Sequence, residues 1–217
     1  MKEKLFVIVA VMILSSVPVE AQDFFRTDVY AGVSDEQGVA TFTGFKSLPK
    51  NFNVFGFVDF FSEEGGSETN FIDFYGETSL TYEFWGNWGI MTELDVCSQA
   101  DSLGRLGVSY RPPILEDWGV KFNFLPYRSD NEGGQIGFSF YKDISKTFFV
   151  EGWGDLDLWR HDSDDSKRPD TTYMLELQVG AKIMEDLYLV AEYRLNDYVK
   201  GFRKTDSALG IGLEYRF

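Results

Sequence analysis

The sequence predicts an all-β protein, an antiparallel up-and-down transmembrane β-barrel of about twelve strands. Three observations lead to this prediction. Apolar and polar residues alternate along segments of about ten residues, with no helical periodicity after residue 21. Short connectors between these segments alternate with connectors that are more polar and often longer. Glycine and aromatic residues are plentiful, with 21 Phe, 11 Tyr and 21 Gly, which is typical of barrels.

Residues 1–21 are predicted to be a signal peptide that is removed on export. Lys2 and Lys4 give a basic start, an apolar run follows, and Val19-Glu20-Ala21 offers a small-residue cleavage site. The run is too short for a membrane-spanning helix, and no later stretch approaches twenty apolar residues. Residues 22–217 are therefore predicted to form a single barrel domain that contacts the membrane through strands. Cys97 is the only cysteine, so an internal disulfide is excluded.

Alternation and turn residues predict twelve strands. In chain order they are 24–33, 38–47, 52–61, 71–84, 88–97, 103–111, 118–127, 135–143, 147–159, 171–183, 187–198 and 205–217. The register of the first hairpin is the least defined, because its alternation blurs around Thr41 to Phe45. Outer-membrane barrels place short turns in the periplasm and longer loops outside. With an even number of strands, both termini are predicted to lie in the periplasm, and the protein in the cell outer membrane.

The last strand has the clearest two faces. Leu209, Ile211, Leu213, Tyr215 and Phe217 alternate with small or charged residues, and a strand of this length fits the hydrocarbon layer. The terminal Phe resembles the C-terminal assembly signal of bacterial outer-membrane barrels. It implies contact with the barrel-assembly machinery and with outer-membrane lipid. An amphipathic strand of a soluble sandwich is the alternative.

Other strands repeat this polarity. Residues 175, 177 and 179 are apolar, whereas Glu176 and Gln178 between them are polar. The charged set is predicted to face the lumen and the apolar set the lipid, since a soluble calyx needs the reverse. Aromatic residues near predicted strand ends would form a girdle. They are Phe84, Trp88, Tyr110 and Trp118.

The predicted lumen carries more acids than bases, in a chain whose net charge is −15. Counting inward positions gives twelve acids against six bases. Burying ions without partners is costly, which favours a hydrated lumen that admits cationic or neutral solutes. A closed interior of salt bridges is the alternative. The overall acidity excludes nucleic acid as a partner, because nucleic-acid binding needs a basic face.

Aromatic residues form the second component of the predicted lumen. In the segment 53–61, Asp59 must face inward, since a charge facing lipid is costly, and Phe55 and Phe57 share its face. Trp153 shares a face with Glu151 and Asp155. Rings beside carboxylates could hold a planar polar solute such as a nucleobase, or could simply fill space. The residues predicted to line the pore are Phe55, Phe57, Asp59, Asp73, Glu77, Glu93, Asp95, Glu151, Trp153, Asp155, Asp157 and Arg194.

The segment VFGFVDFFS, followed after a loop by FYGETSLTYEFWGNWGIMTEL, resembles the Tsx family of nucleoside-specific channel-forming outer-membrane proteins. The resemblance covers residues 52–95 and, more generally, the last strand. It implies a twelve-stranded barrel that passes nucleosides through a narrow pore with aromatic and ionisable lining. By position, it assigns Phe55, Phe57 and Asp59 to that lining. This chain is shorter than members of the family and has trimmed loops.

Together these features predict a monomeric barrel that forms a narrow passive diffusion channel for small polar solutes, nucleosides being the best single candidate. No cofactor, metal site or catalytic residue is predicted. One alternative is a closed structural or partner-binding barrel. A second is an outer-membrane hydrolase, which would have to draw its base from His161, the only histidine, in a polar loop.

Overall fold

The structure, a computed structural model, is a closed barrel of twelve antiparallel strands. It describes residues 24–32, 38–62, 71–98, 101–130, 133–159, 171–196 and 207–217. The strands are β1 (Phe24–Gly32), β2 (Gly38–Leu48), β3 (Phe52–Ser62), β4 (Phe71–Trp85), β5 (Trp88–Cys97), β6 (Leu103–Tyr110), β7 (Lys121–Arg128), β8 (Gly133–Asp143), β9 (Phe148–Trp159), β10 (Thr171–Lys182), β11 (Leu187–Asn196) and β12 (Ser207–Arg216). The predicted fold class is confirmed.

Each strand pairs with its neighbours in sequence, and β1 pairs with β12 to close the barrel. The closing register sets Arg26 opposite Arg216 and Asp28 opposite Glu214. The first hairpin, whose register the sequence left open, pairs Phe24 with Phe45 at one end and Ala31 with Gly38 at the other. Closure leaves no strand with an unpaired edge among the described strands.

One predicted strand begins later than expected. The prediction of 118–127 placed Trp118 in a strand, but Pro113–Trp118 form a 3₁₀ helix and β7 begins at Lys121. Proline fixes φ and lacks an N–H donor, so the Pro112-Pro113 pair cannot continue the ladder of β6. Gly119 then ends the helix in the left-handed region, with φ of 56° and its N–H bonded to the Glu116 carbonyl oxygen.

The two faces of the barrel have the predicted polarity. Leu177 and Val179 are 41% and 50% exposed on the outer face, whereas Glu176 and Gln178 between them are buried inside. The outer face of β12 is equally exposed at Leu209, Ile211, Leu213 and Tyr215. Apolar residues therefore face outward and charged residues inward, the reverse of a soluble barrel.

Glycines make room for large rings inside the barrel. A Cβ on Gly180 would lie 1.9 Å from the Phe149 ring, and one on Gly212 would lie 2.9 Å from the Tyr30 ring. The register connects Tyr30, Gly212, Val190, Gly180 and Phe149 in one row across five strands. Tyr30 is far along β1 whereas Phe149 begins β9, so the row runs diagonally, as strand tilt requires.

The two ends of the barrel differ. We call the end with the connectors at 49–51, 86–87, 111–120, 144–147 and 183–186 the turn end, and the opposite one the loop end. β1 starts and β12 ends at the turn end, so the described chain enters and leaves the barrel on one side. The predicted signal peptide and His161 lie outside the described residues.

None of the described residues belongs to a helix that is long and apolar enough to cross a membrane.

Candidate functional site

The lumen contains a cavity of about 550 Å³ that extends from the turn end into the middle of the barrel. Most of the residues predicted to line a pore line this cavity. They are Phe55, Phe57, Asp59, Glu77, Glu93, Glu151, Trp153, Asp155 and Arg194. The structure therefore brings together side chains from five strands, β3, β4, β5, β9 and β11.

Three predicted pore residues do not line the cavity. Asp73, near the loop end of β4, accepts a hydrogen bond of 2.8 Å from the Ser98 hydroxyl. Asp95 and Asp157 are buried, and each lies beside an arginine. The alternation of the sequence places these three carboxylates on the inward face, but it does not distinguish an open position from one covered by a neighbour.

Arg105 holds two of the inward carboxylates. Its Nη1 lies 2.7 Å from Glu93 Oε1 and 2.5 Å from Asp95 Oδ2, and all three side chains are buried. Glu77 adds a third carboxylate, with one oxygen from each acid within 4.8 Å of the others. Such a group of oxygens could hold a hard cation such as calcium. Here the Arg105 guanidinium supplies the positive charge beside the three acids.

Arg26 on β1 forms a second centre of charge. Its Nη1 lies 2.6 Å from Glu151 Oε2 on β9 and 3.6 Å from Glu214 Oε2, and its Nε lies 3.7 Å from Asp28. Glu214 is fully buried and also contacts Arg216. Since β1 and β9 are not neighbours, the bond to Glu151 crosses part of the lumen.

A row of three polar side chains lies on β9, β10 and β11. The Trp153 indole N–H donates a hydrogen bond of 2.8 Å to Glu176 Oε2. Glu176 Oε1 lies 2.9 Å from Arg194 Nε, and Arg194 also contacts Glu192. The register sets Trp153 opposite Glu176 and Glu176 opposite Arg194, so this row follows from strand pairing.

Aromatic rings line the opposite wall. Phe57 on β3 packs between Phe55 and Tyr75, at ring-centroid distances of 6.2 and 5.8 Å. Across the lumen, its centroid lies 6.1 Å from that of Trp153. Phe55, Phe57 and Asp59 share the inward face of β3, and Asp59 accepts a hydrogen bond of 2.6 Å from Thr41.

Asp155 differs from the other lumen acids. It lines the cavity, and it makes no hydrogen bond or salt bridge with any residue that the structure describes. Its Oδ1 lies over Gly137, where a Cβ would come within 2.4 Å of that oxygen. Gly137 thus provides the space into which this carboxylate turns.

Several lumen residues were missed by the sequence interpretation. Arg26, Asp28 and Tyr30 alternate with smaller residues on β1, a signal that was present but was hidden by the poorly defined first hairpin. Arg128 was missed because the pairing of β6 with β7 shifts between Leu106 and Val108. The shift reverses which residues of β7 face inward, and Arg128 lies beyond the predicted end of the seventh strand. These additions bring one acid, Asp28, and two bases, Arg26 and Arg128. The lumen therefore still carries more acids than bases.

No protein-family model matches this sequence, and no curated protein sequence matches it either. The fold is similar to that of NanC porin, with a TM-score of 0.55 and 10% identity over 88% of this chain and 98% of that chain. It is also similar to KdgM porin in complex with disordered oligogalacturonate, with a TM-score of 0.52 and 11% identity over 90% and 98% of the two chains. At these identities the likeness concerns the fold.

Proposed function

We propose that this protein is an outer-membrane channel of the porin type that passes small polar solutes passively, with nucleosides as the best candidates. The observation that carries the proposal is the cavity of about 550 Å³, which is lined by both aromatic rings and carboxylates. Pockets for small organic molecules typically measure about 300 to 1,000 Å³. The fold shared with NanC and KdgM porins supports the channel, and the solute is argued from the lining alone.

The lining favours a flat solute that carries hydrogen-bond donors. Phe57 and Trp153 offer ring faces on which a base can stack. Asp59, Glu77 and Asp155 offer carboxylate oxygens, which accept hydrogen bonds from hydroxyl and amino groups. A nucleoside combines a flat base with such donors and has no charge of its own. The partial resemblance of residues 52–95 to the Tsx family points to the same class of solute.

The charge of the lumen argues against acidic solutes. Oligogalacturonate, named with the KdgM porin, is a polyanion. In this chain acids outnumber bases among the inward residues, so a polyanion would meet net repulsion. We therefore infer a preference for neutral or cationic solutes.

The outer surface supports a position in the bacterial outer membrane. Its exposed apolar side chains are flanked at the turn end by the aromatic residues Phe84, Trp88 and Trp118. We infer that the turn end faces the periplasm, so that both termini lie there, and that the barrel inserts as a monomer with the help of the assembly machinery. No reaction is proposed.

A closed structural barrel is the second candidate, and one set of contacts favours it. Arg26 with Glu151, Arg216 with Tyr141, and Phe57 with Trp153 connect strands that are not neighbours. Each contact fills part of the bore and stiffens the wall. The two candidates differ in one property, which is whether ions pass through the folded barrel.

Single-channel recording distinguishes them. The mature chain is refolded, inserted into planar bilayers, and its conductance is recorded with uridine, adenosine or uridine monophosphate added. We expect discrete conductance steps that nucleosides reduce in a concentration-dependent way, whereas the nucleotide has a weaker effect because of its negative charge. Ribose serves as a control without a base. The absence of conductance from inserted, heat-modifiable protein would favour the closed barrel.

A further inference from the structure

The contact between Phe57 and Trp153 has an unusual position in the barrel. β3 and β9 are six strands apart in both directions around the closed order of twelve, so they lie on opposite walls. Side chains on opposite walls can meet only across the lumen. At this level the ring centroids are 6.1 Å apart, within the range of about 4.5 to 7 Å at which aromatic rings are in contact.

Trp153 is held in this position by charged groups. Its indole N–H donates to Glu176 at 2.8 Å, and such a bond to a carboxylate is stronger than one between neutral groups. Glu176 is buried, and its Oε1 lies 2.9 Å from Arg194 Nε, which fixes the direction of the carboxyl group. The indole is therefore tied to the wall of β10 while its ring extends toward β3.

Phe57 has no polar group, and packing holds it instead. Its ring contacts those of Phe55 and Tyr75, at centroid distances of 6.2 and 5.8 Å. One ring of the pair is thus fixed by packing and the other by a hydrogen bond that can break.

We propose that Phe57 and Trp153 form the constriction of the channel, and that Glu176 is the positioning residue that keeps the indole across the lumen. This inference rests on the proposed channel function. Any solute that passes must separate the two rings or slide between their faces. Flat solutes meet the smallest barrier, because they can replace the ring contact with stacking on each side.

The test compares truncations of equal kind inside the lumen and on the outer face. Trp153→Ala and Phe57→Ala each remove one ring of the constriction. Phe124→Ala is the matched control, because Phe124 on β7 is 49% exposed on the outer face and does not line the cavity. We expect either constriction variant to raise single-channel conductance roughly twofold or more, since the conductance of a narrow pore follows its narrowest section. The control should change it little.

The role of Glu176 in positioning the indole is tested by a measurement that a general loss of stability would not change. In Glu176→Ala the indole loses its acceptor, so we expect larger open-channel current fluctuations and weaker block by nucleosides. Glu176→Gln keeps an amide oxygen that can accept the indole N–H, and it should restore much of the wild-type behaviour. Heat-modifiability on gels verifies that each variant folds.

The outcomes separate this inference from the channel function. If both Trp153→Ala and Phe57→Ala conduct more than the wild type does, the constriction is supported. This holds whether the wild type conducts or is silent. A conducting wild type whose conductance is unchanged by both variants would overturn the constriction and leave the channel function standing. Silence from the wild type and from all folded, inserted variants would overturn both.

Discussion

At the scale of single residues, the lumen is organised around arginines that each serve several acids. Arg26 is the clearest case, because its guanidinium lies within 4 Å of Glu151, Asp28 and Glu214, and only 15% of its side chain is exposed. An uncompensated buried charge is costly, so the removal of one such arginine leaves three carboxylates to repel one another.

We expect Arg26→Ala to destabilise the folded barrel by about 3 kcal/mol, in the range found when one partner of a buried ion pair is removed. Unfolding of the refolded protein in urea, followed by tryptophan fluorescence, measures this change. Arg111→Ala is a suitable control, because Arg111 forms a salt bridge with only Glu83 among the described residues, and its side chain is 43% exposed. Its loss should cost no more than about 1 kcal/mol. Equal losses for both variants would contradict the role of Arg26.

At the scale of strands, β12 has two tasks, because it pairs with β11 and also closes the barrel against β1. Phe217 follows the last residue of β12, and its N–H donates a hydrogen bond of 2.9 Å to the Phe25 carbonyl oxygen. The Phe217 ring packs against Phe25 and Tyr215, at 5.3 and 4.9 Å, and remains 69% exposed on the outer side. An exposed terminal ring is available to a partner during assembly.

Deletion of Phe217 should therefore lower the amount of barrel assembled in the outer membrane, whereas Phe217→Tyr should assemble nearly as well because it keeps the ring. The measurement is the amount of heat-modifiable barrel in isolated outer membranes. Refolding of the deleted protein into detergent is the companion experiment, since loss of an assembly signal should spare it. Normal membrane levels of the deleted protein would contradict a role for Phe217 in assembly.

At the scale of the whole molecule, the arrangement of charge decides which ions the lumen favours. The inward acids fall into two groups, those beside an arginine and those exposed to the cavity. Asp157 lies 3.6 Å from Arg128 and is buried, whereas Asp155, two residues earlier, lines the cavity without a hydrogen bond or salt bridge from the described residues. Only a charge that an ion can approach should influence permeation.

We expect Asp155→Asn to weaken the cation preference of the channel, seen as a smaller reversal potential in a gradient of potassium chloride. Asp157→Asn should change the reversal potential much less, because Asp157 is buried beside Arg128 and does not line the cavity. The two variants remove the same charge from the same strand, which makes each a control for the other. A larger change in reversal potential from Asp157→Asn would mean that the part of the lumen near the loop end sets the cation preference.

Alternation along the chain was sufficient to identify the strands and most of their inward positions. Period-two alternation is a local property, and it identified the inward positions of Glu176, Gln178 and Arg194 without knowledge of any partner. It was misleading where local geometry breaks the period, at the 3₁₀ helix before β7 and at the register shift beside Gly107. In the first case two prolines stop the ladder, and in the second an added Cβ would lie 2.0 Å from a carbonyl oxygen.

Contacts between inward side chains, in contrast, depend on the folded barrel. Phe57 and Trp153 are far apart in sequence and share no strand pair, and their contact depends on the diameter and tilt of the closed barrel. The same holds for Arg26 and Glu151, and for the difference between Asp155 and Asp157. Alternation fixes the side of the wall on which a residue lies, whereas contacts across a lumen depend on closure, because closure brings opposite walls together.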